Sequence, residues 1–339
     1  MEMDINSHKP AFALSAACRS AGTATPAADR RERRTRLMGF AAIIPAAGAI
    51  AYLAGALAGA AAFAIGLVAL GAFGAKTGRR RRALWLAPFP PKREKFLLRR
   101  IPHYRSLDEA GRELFRQRTK LFLDEVAFYG ADTKITDGMR LRAAAAAVTP
   151  TLGFDEWEWR ELKEIVVRLD GYEHGSYQSG DGVVTEYAES GMLGVSGVMS
   201  GTMMLSSRDL AWEFAHPEDG GNVGFHEFAH LMAAQGMMLA EADRGEWPAL
   251  MAAESLRIRR NESLLDDYAL LNEDEFFAVA SELFFTVPLR FRRWHRKLYA
   301  VLCRCYRQDP ASWLDTDEPE PDSPPRRRRR RGRRRGDVT

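Results

Sequence analysis

Cysteine is scarce in this chain of 339 residues, which contains only Cys18, Cys303 and Cys305. An odd number of cysteines in unrelated contexts cannot form a disulfide framework, so the sequence indicates a protein of a reducing compartment. Cys303 and Cys305 are separated by one residue inside an apolar, helix-patterned run, and they lack the C-x-x-C spacing of redox and metal elements. They are predicted to be two packed thiols.

No large excess of either charge is found outside the C-terminus, and the rest of the chain is nearly neutral. The net charge is +4, but nine of the ten residues in Arg326–Arg335 are arginine, so the rest of the chain sums to about −5 (4 − 9). No aromatic residue interrupts this tail, which argues against specific nucleic-acid recognition. Attraction to anionic membrane lipids is the expectation, given the membrane anchor predicted below. Residues 1–36 are predicted to be a disordered leader, and residues 316–339 a disordered acidic and then Arg-rich tail.

Charge is absent from residues 37–75, which are 39 consecutive residues. One membrane span needs about 20 residues, so this block predicts a transmembrane helical hairpin that turns near Gly55–Gly59. A single tilted span and a buried, Ala-rich soluble helix are the alternatives. Arginine clusters at Arg30–Arg36 and Arg79–Arg82 flank the block, so both ends are predicted to face the cytoplasm from the inner membrane. The block begins too late for a cleavable signal at the N-terminus.

The rest of the chain predicts a linker and one folded domain. Residues 76–102 are basic and Pro-rich, as in a linker. Residues 103–315 predict a mainly helical α+β domain with a small antiparallel sheet: helices dominate its pattern, and the Gly-, Val- and Met-rich residues 181–207 favour short strands. The S-x-x-E pattern of Ser106 and Glu109 predicts the start of a helix that runs to about Val126.

The stretch GGNVGFHEFAHLMA, from Gly220 to Ala233, contains an H-E-x-x-H motif. On a helix, His226 and His230 share one face and can bind one Zn²⁺, while Glu227 lies about 100° round, where a base would take a proton from an activated water. The apolar neighbours would leave these polar groups buried without partners unless a metal satisfied them. A structural zinc site and an ordinary core helix without metal remain as alternatives.

A third protein ligand has to come from another part of the chain. Glu275 and Glu282 lie seven positions apart in the downstream stretch Asp266–Phe285, so both can face the same way on a helix. The spacing does not choose between them, and either one is also compatible with a solvated helix face.

Three motifs resemble one known family. NVGFHEFAH at Asn222–His230, DEFFAVASELFF at Asp274–Phe285 and YRQDP at Tyr306–Pro310 are similar to the Mlc titration factor A (DgsA anti-repressor) family of zinc-dependent peptidases. These peptidases share their catalytic core with the anthrax lethal factor protease. The resemblance covers about Leu107–Pro310 and implies a zincin-like metallopeptidase fold.

The resemblance also implies roles for particular residues. His226, His230 and Glu275 would be zinc ligands, as in gluzincin-like enzymes, Glu227 the general base, and Tyr268 the group that steadies the oxyanion. In that case Glu282 becomes a candidate for orienting a ligand histidine through its free ring nitrogen. The chain departs from the family at Ala233, where the family commonly has an acidic residue three positions after the second histidine.

The expected function is that of a membrane-anchored zinc peptidase, which hydrolyses a peptide or protein substrate through a zinc-activated water with Glu227 as general base. The alternative is a regulatory protein that sequesters a transcriptional repressor, with proteolysis secondary or absent. A third reading, motivated by Ala233, is an inactive fold retained as a scaffold at the membrane.

Overall fold

A computed structural model describes residues 55–169, 177–178, 184–185, 192–195, 198–235 and 244–314. The expected leader, the first part of the apolar block and the C-terminal tail lie outside these residues. The chain divides into two units. Of the described residues, the smaller unit takes in 55–89 and 155–158. The larger unit takes in 90–154 and those from Trp159 onward, and it holds the H-E-x-x-H motif.

The smaller unit is built on one long helix, α1 (Ala56–Leu86). Gly55 precedes it with a φ of 94°, a backbone conformation that glycine adopts without steric cost. Within the described residues, α1 is the one helix long and apolar enough to cross a membrane. Ile65 and Val68 on this helix are 70% and 73% exposed, as expected of a surface that faces something other than the protein core.

The apolar segment was expected to end at Ala75, but α1 continues through Arg79–Arg82 to Leu86. Arginine is a good helix former, so the change from apolar to basic residues does not end the helix. Arg81 is buried and lies 3.5 Å from a carboxylate oxygen of Glu158 in the same unit. The first half of the expected hairpin lies outside the described residues, so the hairpin itself stays a prediction.

The expected linker at residues 76–102 is mostly helical, which corrects the prediction. After the end of α1, residues Pro91–Arg100 form α2 and Pro102–Ser106 form the short α3. Each of these helices has proline as its first residue. At that position a backbone N–H has no acceptor within the helix, so proline loses no hydrogen bond, and its fixed φ suits a helix. The prolines therefore start helices here and do not extend the chain.

The helix after α3 begins at a different cap from the one predicted. Helix α4 spans Glu109–Glu125, and the side chain of Asp108 accepts a hydrogen bond from the backbone N–H of Gly111. Ser106 ends α3, and its hydroxyl donates to the carbonyl of His103. The S-x-x-E pattern thus misplaced the cap by two residues, because Asp108 is an equally good capping residue.

The other α-helices in the described part of the larger unit follow in chain order. They are α5 (Asp137–Val148), α6 (Ser207–Ala215), α7 (Val223–Ala234), α8 (Trp247–Arg259), α9 (Glu273–Thr286), α10 (Pro288–Trp294) and α11 (Arg296–Tyr306). Helix α9 lies at the centre, since every residue from Glu275 to Phe285 is buried, and it packs against α7.

The alanine run of α5 lets the motif helix α7 approach closely. Ala143 to Ala147 are all buried, and a Cβ added at Gly224 of α7 would lie only 2.5 Å from the Cβ of Ala146. Two helices can come this near only where both carry small side chains. The position of α7, and of the histidines on it, therefore depends on small residues in two distant parts of the sequence.

The sheet is largely parallel, so the predicted antiparallel sheet is wrong. Its strands are β1 (Ala127–Gly130), β2 (Glu164–Arg168), β5 (Met192–Val195) and β6 (Val198–Ser206) in the order β1-β2-β6-β5. Strands β1, β2 and β6 are parallel, and only β5 pairs antiparallel with β6. Helix α5 lies between β1 and β2 in the chain, and a crossover helix returns the chain for parallel pairing. A separate antiparallel pair joins β3 (Tyr177–Gln178) and β4 (Val184–Thr185).

Candidate metal centre

The start of α7 is held by side chains from three directions. The side chain of Asn222 caps the helix by accepting from the N–H of Phe225 at 3.1 Å. The N–H of Asn222 donates to Glu282 at 2.8 Å, and the N–H of Val223 donates to Glu213 at 2.5 Å. Two carboxylates thus lie at the positive end of the helix dipole, where negative charge is stabilising. These contacts fix the turn that carries the first histidine.

A similar cap positions the facing helix. The side chain of Asn272 accepts a hydrogen bond from the N–H of Glu275 at 2.8 Å, in the first turn of α9. This contact sets the start of α9 and places the Glu275 carboxylate close to α7. Glu275 is 5% exposed, so its charge is largely shielded from solvent.

Three potential ligand atoms lie close together, one each from His226, His230 and Glu275. Nε2 of His226 lies 3.1 Å from Nε2 of His230 and 3.0 Å from Oε2 of Glu275, which is itself 3.4 Å from Nε2 of His230. Around an ion bound tetrahedrally at about 2.0–2.1 Å, neighbouring ligand atoms lie about 3.3 Å apart. The three atoms therefore have nearly the separation that a zinc ion requires, and two imidazoles with one carboxylate are a donor set that zinc accepts.

Glu282 determines which nitrogen of His226 is available. Oε1 of Glu282 lies 2.6 Å from Nδ1 of His226, while Oε2 accepts from the N–H of Asn222. An ionised carboxylate can only accept hydrogen bonds, so Nδ1 carries a proton and donates a hydrogen bond to Glu282. The lone pair of the neutral ring is then on Nε2, which faces His230 and Glu275. The two glutamates that the spacing did not distinguish thus lie on opposite sides of one histidine ring.

The electrostatics of the cluster favour a cation. Burial lowers the pKa of His226, but hydrogen bonds with Glu275 and Glu282 outweigh it and raise the pKa to about 9. Burial raises the pKa of Glu275, but its hydrogen bonds with His226 and His230 outweigh it and lower the pKa to about 2. The carboxylates therefore create a strongly negative environment around the nitrogens, which is the environment a divalent cation prefers.

Comparison with known proteins agrees with this geometry. The sequence model of the glucose-regulated metallo-peptidase M90 family matches residues 75–307, well over half of the chain. This chain belongs to the M90 metallopeptidase family. It is also similar to an uncharacterised protein of Synechocystis sp. (strain PCC 6803), with 31% identity over 244 residues that cover 68% of this chain and 89% of the relative. The family match supports the resemblance drawn from the motifs, and membership of a metallopeptidase family implies a bound metal, typically zinc.

The M90 match also shows where the part of the chain covered by the family model begins. It starts at residue 75, inside α1, whereas the folded domain was expected from residue 103. Helices α2 and α3, taken for a linker in the sequence, fall within the match, and Leu97, Ile101 and Tyr104 are fully buried. They are therefore part of the core of the M90 peptidase unit.

Two further residues named from the sequence lie beside the cluster. Glu227 follows His226 on α7 and is 4% exposed, and its negative charge contributes to the raised pKa of His226. Tyr268 lies in the short 3₁₀ turn Asp267–Leu270, with its ring centroid 5.8 Å from that of His226. Its ring is half-buried. Both groups are thus near the three ligand atoms without being among them.

Sequence reasoning missed the residues that hold the helices in place. Asn272 and Glu275 form an N-x-x-E pattern, a signal for a helix start that was available in the sequence. No local signal points to Glu213, because it contacts Val223 ten residues further along the chain.

Ala233 is half-buried and lies one turn after His230. This chain therefore has no carboxylate at the position where the family named from the motifs commonly has one.

Proposed function

We propose that this chain is a zinc-dependent peptidase of the H-E-x-x-H, gluzincin-like type. In this proposal His226, His230 and Glu275 are the protein ligands of a single Zn²⁺. The observation that carries it is the convergence of two imidazole nitrogens and one carboxylate oxygen at separations of 3.0–3.4 Å. Three protein ligands leave a fourth position open, as in catalytic zinc sites.

Zinc bound at this point would supply a Lewis acid that acidifies water and polarises a peptide carbonyl. Glu227 accepts the proton of the attacking water and passes it to the departing amine, since it is adjacent to His226 and buried. Tyr268 donates a hydrogen bond to the carbonyl oxygen as negative charge develops on it. Glu282 keeps the proton of His226 on Nδ1, so that Nε2 stays available as a ligand.

The proposed location is the inner membrane, with the peptidase unit on the cytoplasmic side. Support comes from the length and apolar surface of α1 and from the four arginines at Arg79–Arg82 near its end. The arginine tail Arg326–Arg335 would attract anionic lipids of the same leaflet. Substrates are then peptides or proteins that reach the cytoplasmic face of the membrane.

Hydrolysis by the full chain in lipid nanodiscs tests the proposal. A mixture of unstructured peptides is incubated with zinc-loaded protein, and new termini are identified by mass spectrometry. Glu227→Gln should keep its zinc but lose cleavage by about a hundredfold or more, because the general base is removed while all three ligands stay. Cleavage by Glu227→Gln at the native rate would remove Glu227 from the mechanism. No cleavage by either protein would contradict the peptidase function.

Sequestration of a transcriptional repressor is the competing proposal, with proteolysis secondary or absent. The observation in its favour is Ala233, which replaces the acidic residue that the family named from the motifs commonly has three positions after the second histidine. The variant Glu227→Gln separates the two functions. If it restores the phenotype of a deletion strain as well as the native chain does, binding is the function that matters.

A further inference from the structure

A second cluster of polar side chains lies outside the metal centre, with two of its three members buried and Arg257 30% exposed. It consists of Glu254 and Arg257 on α8 and His295, which occupies the corner between α10 and α11. The side chain of His295 is fully buried, and that of Glu254 is 8% exposed. The buried members of this cluster have to satisfy their hydrogen bonds, so their partners show what the cluster holds in place.

His295 connects α8 to the loop that follows it. Nε2 of His295 accepts a hydrogen bond from the backbone N–H of Leu264 at 3.1 Å. Its proton is therefore on Nδ1, which lies 2.8 Å from Oε2 of Glu254 and donates to it. Arg257 donates to the same carboxylate at 2.9 and 3.2 Å. Glu254 thus fixes the tautomer and the orientation of His295, as Glu282 does for His226.

Leu264 lies four residues before Tyr268, and the segment between them leaves little freedom. Leu264 and Leu265 are each 3% exposed. The side chain of Asp266 then accepts from the N–H of Tyr268 at 3.2 Å, and its carbonyl accepts from the N–H of Ala269 at 3.1 Å. A shift of Leu264 would therefore also move Tyr268, because a short, hydrogen-bonded turn joins the two residues.

Arg257 holds the start of the same loop. Its Nη2 donates to the carbonyl of Glu262 at 3.1 Å, and its own carbonyl accepts from the N–H of Glu262 at 2.9 Å. The loop is thus fixed at Glu262 by Arg257 and at Leu264 by His295. Of these two contacts, the one with His295 is closer in sequence to Tyr268, and it alone involves an element other than α8.

We propose that His295, oriented by Glu254, is a positioning residue that sets the place of the Tyr268 hydroxyl relative to the metal ligands through the Leu264 N–H. The inference rests on the proposed function, since it assigns Tyr268 a role in catalysis. A displacement of about 1 Å at a catalytic group can reduce the rate by as much as a hundredfold. The anchor of the loop therefore matters for rate although it touches no substrate.

Two substitutions at position 295 separate the contacts. His295→Gln places an amide oxygen near the position of Nε2 and retains an acceptor for Leu264. His295→Asn places an amide nitrogen near Nδ1 and retains a donor for Glu254, but it cannot reach Leu264. We expect His295→Asn to lower kcat about tenfold or more with little change in KM, and His295→Gln to stay within about threefold of the native chain. Equal losses in both variants would overturn the proposal.

A double-mutant cycle tests whether His295 acts through Tyr268. In a Tyr268→Phe background the hydroxyl is gone, so adding His295→Asn should lower kcat/KM by less than about twofold. If His295→Asn reduces kcat/KM as strongly in this background as in the native chain, His295 does not work through Tyr268. The zinc content of every variant is measured alongside, and it should stay at the native value.

Hydrogen exchange supplies a readout that does not depend on activity. In zinc-loaded protein, His295→Asn should speed amide exchange in residues 261–270 and leave α9 unchanged, whereas His295→Gln should not. The control Tyr299→Phe, which removes a hydroxyl on α11 bonded to Asp309 and Ala311, should leave residues 261–270 unchanged. Unaltered exchange in His295→Asn would overturn the anchor. A native chain that hydrolyses no peptide would defeat the proposed function while this measurement still decides the anchor.

Discussion

Oε1 of Glu282 lies 2.6 Å from Nδ1 of His226, on the side of the ring opposite to Glu275. Glu282 also accepts the N–H of Asn222, which begins the helix that carries His226. One carboxylate therefore fixes both the start of α7 and the tautomer of the first candidate ligand. Metal sites commonly have such a carboxylate behind a histidine ligand, and its loss weakens binding without removing a ligand.

Replacing Glu282 with glutamine should weaken zinc binding about 10- to 100-fold, because the charge that supports His226 is lost. Competition with a chromogenic chelator measures this change. Glu213→Gln is the matched control, since Glu213 also accepts a backbone N–H at the start of α7 but is not hydrogen-bonded to a ligand histidine. Equal weakening in both variants would show that the helix start matters and the contact with His226 does not.

Introducing a carboxylate at position 233 should strengthen zinc binding. Ala233 is three residues after His230 and half-buried, so an aspartate there lies on the same helix face as this histidine. We expect Ala233→Asp to lower the dissociation constant for zinc by up to about tenfold. Gln235→Glu adds the same charge five residues after His230, about 140° round the helix axis, and should change it little. The same gain in both variants would contradict a specific contact with His230.

Zinc binding to chelator-treated protein should release a proton at neutral pH. Burial lowers the pKa of His226, but hydrogen bonds with Glu275 and Glu282 raise it from 6.5 to about 9, so the imidazole is protonated at pH 7. A metal requires the neutral ring, so the apparent affinity should rise with pH up to about 9. Calorimetry in buffers of different ionisation enthalpy counts the proton, and a buffer-independent heat at pH 7 would contradict the account.

The same shift makes the stability of metal-free protein depend on pH. Because the pKa of His226 is raised in the folded state, its contribution to the free energy of unfolding is fully present below 6.5 and is lost as the pH rises through about 9. Chemical denaturation of chelator-treated protein should therefore show a lower free energy of unfolding at pH 9.5 than at pH 6. His226→Gln should remove this part of the pH dependence. An unchanged dependence in that variant would assign it to other groups.

Gly224→Ala should destabilise the protein by about 1–3 kcal/mol, because the added Cβ would lie 2.5 Å from the Cβ of Ala146 and 2.8 Å from Cδ1 of Leu210. Denaturation of zinc-loaded protein measures the change. Gly245→Ala is the control, since a Cβ at Gly245 meets nothing within 4 Å. A loss no larger than that of the control would show that α5 and α7 do not require the close approach.

The candidate metal site was largely predictable from the sequence, because the H-E-x-x-H spacing is local to one helix. The spacing alone did not choose between Glu275 and Glu282, since seven positions on a helix bring both to one face; the family resemblance assigned Glu275 to the metal and Glu282 to a ligand histidine. In the structure both lie at the site, one on each side of His226. The contact of His295 with Leu264 joins residues 31 positions apart, and no local pattern reports such a pair.

Most helices of the larger unit were predictable from the sequence, whereas α2, α3 and the parallel sheet were not. Strand β1 has four residues, too few for a clear alternation of apolar and polar side chains, so nothing in the sequence indicated a parallel strand before α5. The prediction of a linker at residues 76–102 was wrong, because prolines beside basic residues were taken as the mark of a linker, although Pro91 and Pro102 each begin a helix. The end of α1 was misplaced because a change of polarity was taken for the end of a helix.

The zinc content of the purified chain tests the central claim most directly. Elemental analysis after dialysis should find about one zinc per chain in the native protein and in Glu227→Gln. Substitution of His226, His230 or Glu275 by alanine should remove it, whereas Glu282→Gln should retain it at saturating zinc. A native protein without zinc, or zinc that persists when Glu275 is replaced and disappears when Glu282 is replaced, would contradict the proposed site.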